Sequence, residues 1–527
     1  MSQHDAKHAD GPQFQAHCCP CTPPEEAGRE GFSRRRFLGG VGAGALGGMA
    51  LTGLSWSALS AAEAELDAAP PRKPLKVKPI LVYSTPTRRQ QTSWRNWGGI
   101  QTQQDAEQEV ARIRGEIDAM KKKADFPVEF LPVAPVRGAG DLNAAGDVKD
   151  ADVAIVYAAG GWGGAFRAVT DLGKPMIVFC RHKSGPVYLW YEIVHPRYLR
   201  QHTDKLAVDA ADYDDVVVDD LDEVLWRLRA HCGLVNTVGS TIVALGGAGG
   251  WAQPGGKSAG LARDRFQLDI REISYDDLGK LIQDARADEA AVKRANERAA
   301  AYLKIPNTTL ETEKEFVERC FLLEEIFRRL MKEADCRAFT INHCMGTIMP
   351  ASETTACLPL CTLNDDGYLA FCESDFVVVP SGILMGNITG KPPFLHNPTY
   401  PHHGLITLAH CTAPRKMDGK TLEPVRIVTH FESDYGAAPK VEMRKGQQLT
   451  MLNPDFEAEC YMGLTGTIVD HPFLPICRSQ IDVKPDCCDK LLTEKMRGFH
   501  WMTVYGNYLR EAQYALKRVG IGLERLG

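Results

Sequence analysis

Val153-Ala154-Ile155-Val156-Tyr157-Ala158 is an unbroken apolar run that leads into Gly160-Gly161-Trp162-Gly163-Gly164, and Thr241-Ile242-Val243-Ala244-Leu245 leads in the same way into Gly246-Gly247-Ala248-Gly249-Gly250. A strand apolar on both faces must be covered on both, which is the mark of a parallel sheet. Similar runs flank the first stretch at 79–84, 128–133, 175–180 and 216–218, and between them Val110, Ile113 and Ile117 have helical spacing. A second helix is expected over 188–199. Strands alternating with helices at these lengths predict a sheet layered between helices. Neither glycine run fits the G-x-G-x-x-G dinucleotide pattern with an acidic residue about 20 positions later. Both are read as tight turns at strand ends, which glycine's permissive backbone explains.

The second apolar run opens another unit. It continues through charged amphipathic segments at 276–303 and 310–334 to a strand at 338–342. From about Tyr368 the pattern changes to strands separated by turns, at 405–411, 425–431, 447–452 and 461–469, which predicts mainly antiparallel pairing. A last amphipathic helix at 508–519 stops at Gly520. The expected class is α/β, with two Rossmann-like α/β domains at 72–239 and 240–365 and a β-rich C-terminal domain at 366–527. Three domains agree with a length of 527 residues.

The first residues carry a different signal. Ser33-Arg34-Arg35-Arg36-Phe37-Leu38 precedes an uncharged Gly/Ala/Leu-rich stretch that ends in small residues at Ser60, Ala61, Ala62 and Ala64. This predicts a twin-arginine signal segment at 33–64 behind a disordered leader at 1–32, and therefore export to the periplasm through the twin-arginine machinery, with cleavage preferred over retention as a membrane anchor. Thirteen of the 16 cysteines follow the signal without C-x-x-C pairs, so no disulfide framework is expected. A net charge of −6 offers no basic field for nucleic acid.

The residues that suggest chemistry lie between 351 and 500. Glu353, Asp375 in Cys372-Glu373-Ser374-Asp375, and His500 in Phe499-His500-Trp501 supply two carboxylates and an imidazole. Such a set suits a hard divalent ion, Mn²⁺ or Mg²⁺, with open positions where a polyol can chelate. Asp375 stands between Tyr368-Leu369-Ala370-Phe371-Cys372 and Phe376-Val377-Val378-Val379, where an unpaired charge is costly. His402-His403 and His410-Cys411 are read as surface or turn residues, because neighbours on a strand point to opposite faces. His343 is retained as a candidate to support a ligand. Trp162 can stack on a sugar face or pack in a core.

At Leu363-Asn364-Asp365-Asp366-Gly367, Cys372-Glu373-Ser374-Asp375, Thr429-His430-Phe431-Glu432-Ser433 and Phe499-His500 with Val504-Tyr505-Gly506-Asn507-Tyr508, the sequence resembles the L-fucose isomerase family, and more closely the fucose/arabinose isomerase-like proteins. Ser93-Trp94-Arg95-Asn96-Trp97-Gly98-Gly99-Ile100 is similar to the N-terminal region of such proteins, and the likeness runs from about residue 75 to the end. The resemblance implies a manganese-type ion on Glu353, Asp375 and His500. It also implies a substrate-contacting Trp162 lent to a neighbouring subunit, and a homo-oligomer, hexameric or trimeric. The export signal departs from the family, whose sugar enzymes work inside the cell. The expected function is an exported metal-dependent aldose–ketose isomerase acting through an ene-diol, with Glu353 and Asp375 moving the protons. The alternatives are a sugar-binding protein without catalysis and another metal-assisted reaction on a polyol.

Overall fold

The computed structural model describes residues 54–60, 68–161, 164–208, 211–251 and 253–527. The chain is mixed α/β, with two parallel sheets followed by an antiparallel barrel. The expected leader, and most of the expected signal segment, lie outside the described residues.

The first sheet holds β1 (Leu75–Val82), β2 (Val128–Phe130), β3 (Ala134–Val136), β4 (Val153–Ala158), β5 (Met176–Cys180) and β6 (Val216–Val218). Its order is β2-β1-β4-β5-β6, with β3 pairing the later half of β1, and every pairing is parallel. β4 and β5 are buried along their whole length, as runs apolar on both faces require. Helix Gln103–Lys123 covers one face with Val110, Ile113, Ile117 and Met120. Thr102 and Asp105 cap its start reciprocally, and three lysines close it where the helix dipole favours cations.

The second sheet is built from β7 (Thr241–Leu245), β8 (Asp269–Ile273), β10 (Ala338–Ile341) and β11 (Leu369–Phe371), in the order β11-β10-β7-β8 and again parallel throughout. Its edge strand lies beyond residue 365, where the second unit was expected to end. Between these strands β9 (Thr308–Leu310) leaves to join another sheet. In both parallel sheets the first strand is flanked by its successor on one side and a later strand on the other. This order is not that of the six-stranded dinucleotide fold, but it shares the same consequence. The direction of winding reverses between β1 and β4 and between β7 and β10, and ligands of such sheets bind outside the carboxyl ends of the strands at these switch points.

The remaining strands are β12 (Phe394–Pro398), β13 (Ile406–His410), β14 (Val425–His430), β15 (Tyr435–Val441), β16 (Gln448–Asn453), β17 (Cys460–Asp470), β18 (Ser479–Pro485), β19 (Trp501–Tyr505) and β20 (Gly522–Leu526). β16, β19, β12, β13, β18 and β17 pair antiparallel in that order, and β17 closes back on β16 to make a six-stranded barrel. Closure removes the exposed edges an open sheet would present. β20 adds to β17 in parallel, while β15, β14 and β9 form a three-stranded sheet beside the barrel.

The units interlock. Helix Leu221–Thr237 follows the first sheet and packs on helix Val379–Thr389, which follows the second. They approach closely at Gly233, where an added Cβ would lie 2.3 Å from Ile388 Cγ1 and 3.2 Å from its backbone. Helix Leu509–Arg518 lies on the same helix, and Tyr514 donates its hydroxyl to Asp215 Oδ1 at 2.6 Å. Within the expected signal segment, the short helix Trp56–Ser60 is described. It docks on the second unit, with Trp56 Nε1 donating to Asp288 at 2.9 Å, the Arg329 guanidinium over its ring, and Leu59 O accepting from Arg329 Nη1 at 2.8 Å. Among the described residues no helix is long and apolar enough to cross a membrane.

Helix Cys357–Asp365 is pinned to the loop before β14 by the Asp365 carboxylate, whose Oδ1 accepts the backbone N–H groups of Arg415 and Lys416, each at 2.7 Å. Burial pushes its pKa up to about 7 from an ordinary 3.8, against those hydrogen bonds and the nearby cations. A folded-state value above the unfolded one means the contribution is complete below about 3.8 and lost as pH rises through about 7. Asp365→Asn keeps an acceptor oxygen but cannot ionise, so wild type should lose stability relative to this variant across that window, read from denaturant midpoints at pH 5 and pH 8. Gly233→Ala should destabilise by about 1–3 kcal/mol through overpacking. Alanine is otherwise favoured in a helix by roughly 0.5–1 kcal/mol, so the sign of the change in a urea titration tests the close seam directly.

Candidate metal centre

The loops that leave β7 and β11 meet two strand ends of the barrel. After β11 the chain turns sharply through Cys372-Glu373-Ser374-Asp375, with Glu373 at φ 67° and Ser374 at φ 44°. Two successive non-glycine residues in the left-handed region cost of order 1–3 kcal/mol each and persist only where surroundings fix them. Here the second glycine run does so. Gly249 N donates to Ser374 O at 3.0 Å and Phe376 N donates to Gly249 O at 3.2 Å. A Cβ on Gly249 would sit 3.2 Å from Ser374 O, while Gly246 and Gly247 take positive φ. The run is a turn that braces its neighbour.

Asp375 is 1% exposed. Its Oδ1 accepts from the backbone of Trp251 at 3.3 Å and Val377 at 3.1 Å, and its Oδ2 accepts from His500 Nδ1 at 2.7 Å. Both oxygens are therefore engaged, and the proton on His500 Nδ1 leaves the Nε2 lone pair to face elsewhere. It faces Glu373, with Nε2 at 3.3 Å from Oε2. His410, the last residue of β13, makes the matching approach: Thr412 Oγ1 lies 3.3 Å from its Nδ1, and its Nε2 lies 3.5 Å from Glu373 Oε1. Both Nε2 atoms are buried and have no well-formed hydrogen bond. Cys372 Sγ, a Glu373 oxygen and a His410 nitrogen all lie within 4.8 Å of one another. His396 stands behind them on β12, bonded through Nε2 to Thr503 Oγ1 at 2.7 Å and kept neutral by burial.

The electrostatics ask for a cation. Burial pushes the Glu373 carboxyl up, yet contacts with His410 and His500 hold it well below the usual carboxylate range. Burial likewise pushes His500 down, but the Asp375 and Glu373 carboxylates outweigh it and raise its pKa to about 9. Either a second proton on His500 or a metal ion beside its Nε2 can supply the positive charge that the buried Asp375 and the part-buried Glu373 need.

The expected ligands separate in the structure. Asp375 and His500 do converge, with Asp375 Oδ2 holding His500 while Oδ1 accepts two backbone N–H groups, and Asp375 stands outside the three donors that converge. Glu353 is not part of the cluster. Residues 344–352 form a helix whose start, Cys344, lies 4.0 Å from Cys372 Sγ to Sγ, and Glu353 caps its far end, roughly 13 Å along the axis at 1.5 Å per residue. There Glu353 is half-exposed and pairs with Arg286 at 3.1 Å and Arg319 at 3.6 Å. Its assignment as metal ligand and proton carrier is corrected by that placement. Glu373 and His410 occupy the site instead, and the expectation of a surface His410 fails, since it is 3% exposed. His402 and His403 are exposed in a turn, as expected, and His343 is exposed at the start of the same helix. Trp162 lies outside the described residues. The indole beside the cluster is Trp251, which is 48% exposed, stacks on Phe499 at 4.1 Å and meets the His500 ring edge-on at 6.2 Å.

No protein-family model matches the chain, and no curated protein matches it.

Metal content after exhaustive dialysis distinguishes the two glutamates. Glu353→Gln should retain wild-type stoichiometry, whereas Glu373→Gln should lose at least tenfold in affinity for a divalent ion while keeping its circular dichroism spectrum. Retention of metal by Glu373→Gln would remove that carboxylate from the ligand set.

Proposed function

We propose that the chain is a metal-dependent isomerase of a polyhydroxylated substrate, an aldose–ketose interconversion through an ene-diol. The observation that carries the reading is the pair of buried, unpartnered imidazole nitrogens of His410 and His500 aimed at one carboxylate, Glu373, at the carboxyl ends of the second parallel sheet. Crevices at that position are where ligands bind in such sheets. The resemblance supplies the reaction class and the geometry supplies the residues. The Rossmann-like description of the two α/β units belongs to the same proposal.

A divalent ion held by Glu373, His410 and His500 would polarise a carbonyl and its neighbouring hydroxyl as a Lewis acid. Asp375 keeps the proton on His500 Nδ1, so that Nε2 remains a donor of electrons and the ring cannot rotate. Glu373 is anionic, and its side chain is 33% exposed in contrast to the buried imidazoles. In this reading it takes a proton from the carbon beside a carbonyl and returns it to the next. The exposed indole of Trp251 offers a flat apolar surface to the face of a sugar ring. Export to the periplasm through the twin-arginine route, a homo-oligomer of hexamer or trimer type and a role for Trp162 at a neighbouring site complete the proposal, on the sequence evidence alone. Two carboxylates and one imidazole suit Mn²⁺ or Mg²⁺, and the resemblance is what singles out Mn²⁺.

Incubating metal-loaded protein with a panel of aldoses and ketoses in deuterated water, followed by NMR, tests the reading. Isomerised sugar carrying deuterium next to the carbonyl is expected. Binding without exchange would make this a sugar-binding protein, and dehydrated products would indicate a different metal-assisted reaction. Asp375→Asn should lower turnover by at least 100-fold, because an amide facing His500 Nδ1 favours the wrong tautomer. Near-normal turnover would exclude that role for Asp375.

A further inference from the structure

We infer that Cys372 is a donor to this ion beside Glu373 and His410, so that the centre selects a borderline cation such as Zn²⁺, Co²⁺ or Fe²⁺ over Mn²⁺ or Mg²⁺; the inference rests on the metal reading of the site. Cys372 is 5% exposed, and its Sγ lies within 4.8 Å of donor atoms of both Glu373 and His410. The donors that converge are one thiol, one carboxylate and one imidazole, and His500 reaches them through Glu373, its Nε2 standing 3.3 Å from Oε2.

The spacings favour coordination over hydrogen bonding. Each imidazole faces its own carboxylate oxygen, His500 Nε2 at 3.3 Å from Glu373 Oε2 and His410 Nε2 at 3.5 Å from Oε1, both beyond the 2.7–3.2 Å of ordinary N–H···O bonds. Around a four-coordinate ion with Zn–N and Zn–O bonds near 2.0–2.1 Å, neighbouring donors stand about 3.4 Å apart. The imidazole orientations agree, because each ring has its Nδ1 beside a protein oxygen, Asp375 for His500 and Thr412 for His410, and turns its Nε2 inward. A hard ion prefers oxygen ligands and retained water, whereas thiolate and imidazole together suit zinc-like ions. Cys344 approaches Cys372 to 4.0 Å but stands outside the set of three donors that converge, which makes it a natural control.

The experiment strips the purified chain with a chelator and titrates Co²⁺ into wild type, Cys372→Ser and Cys344→Ser under reducing, anaerobic conditions. Wild type and Cys344→Ser should show a near-ultraviolet thiolate-to-cobalt charge-transfer band, and Cys372→Ser should lose that band while keeping the visible d–d bands. The ratio of Zn²⁺ to Mn²⁺ affinity should fall at least tenfold in Cys372→Ser. Visible bands without charge transfer in wild type, or charge transfer retained in Cys372→Ser, would overturn the thiolate ligand and leave the metal site standing. No cobalt spectrum at all in wild type would overturn the metal site, and this inference with it. X-ray absorption on zinc-loaded wild type needs no variant: one sulfur at about 2.3 Å is expected, and a shell of nitrogen and oxygen alone overturns the proposal.

Discussion

The hydrogen bond from His500 to Asp375 joins positions 125 residues apart and ties the second parallel sheet to the barrel. Both partners are 1% exposed, so neither can exchange this contact for water. The bond fixes more than position. By settling which ring nitrogen holds the proton, it decides which one is free, and the free nitrogen turns toward Glu373. The turn at 372–375 could not keep two left-handed residues without this bond on one side and the Gly249 brace on the other. Site and fold are therefore one arrangement: the packing of barrel against sheet is what places an imidazole beside a carboxylate.

Much of the architecture was legible because burial on both faces leaves a plain mark. The runs of β4, β5 and β7 have no polar interruption, and helix Gln103–Lys123 buries Val110, Ile113 and Ile117 as their spacing requires. The expected helix at 276–303 is two helices, because Asp288 ends one and caps the next through the N–H groups of Ala290 and Ala291. Helix Val379–Thr389 was not legible. It is buried on every side, so no polar face sets a period, and its apolar residues read equally well as strand. Barrel closure between β16 and β17 is likewise invisible to a pattern that reports only local alternation.

The candidate site divides along the same line. Asp375 and His500 were found because a charge between apolar runs and a lone histidine between aromatics both need partners. Glu353 failed because the segment before it folds as a helix despite an internal proline, which carries the side chain to the surface and two arginines. His410 was set aside on the argument that adjacent strand residues cannot converge. That argument excludes His410 and Cys411 as a pair, not His410 alone. Glu373 was hidden by backbone geometry: only a left-handed turn aims it between two imidazoles, and no residue type there announces one.

Helix Trp56–Ser60 bears on the order in which the chain folds. Its contacts, Asp288 and Arg329, come more than 200 residues later, so the segment can dock only after the second unit has formed. Without this helix the body would lose a plug seated against Asp288 and Arg329. The guanidinium of Arg329 would lose its indole cover and gain access to water, leaving its ion pair with Glu325 to hold that patch. The docked helix is thus part of the surface of the second unit, and its loss would reshape that surface.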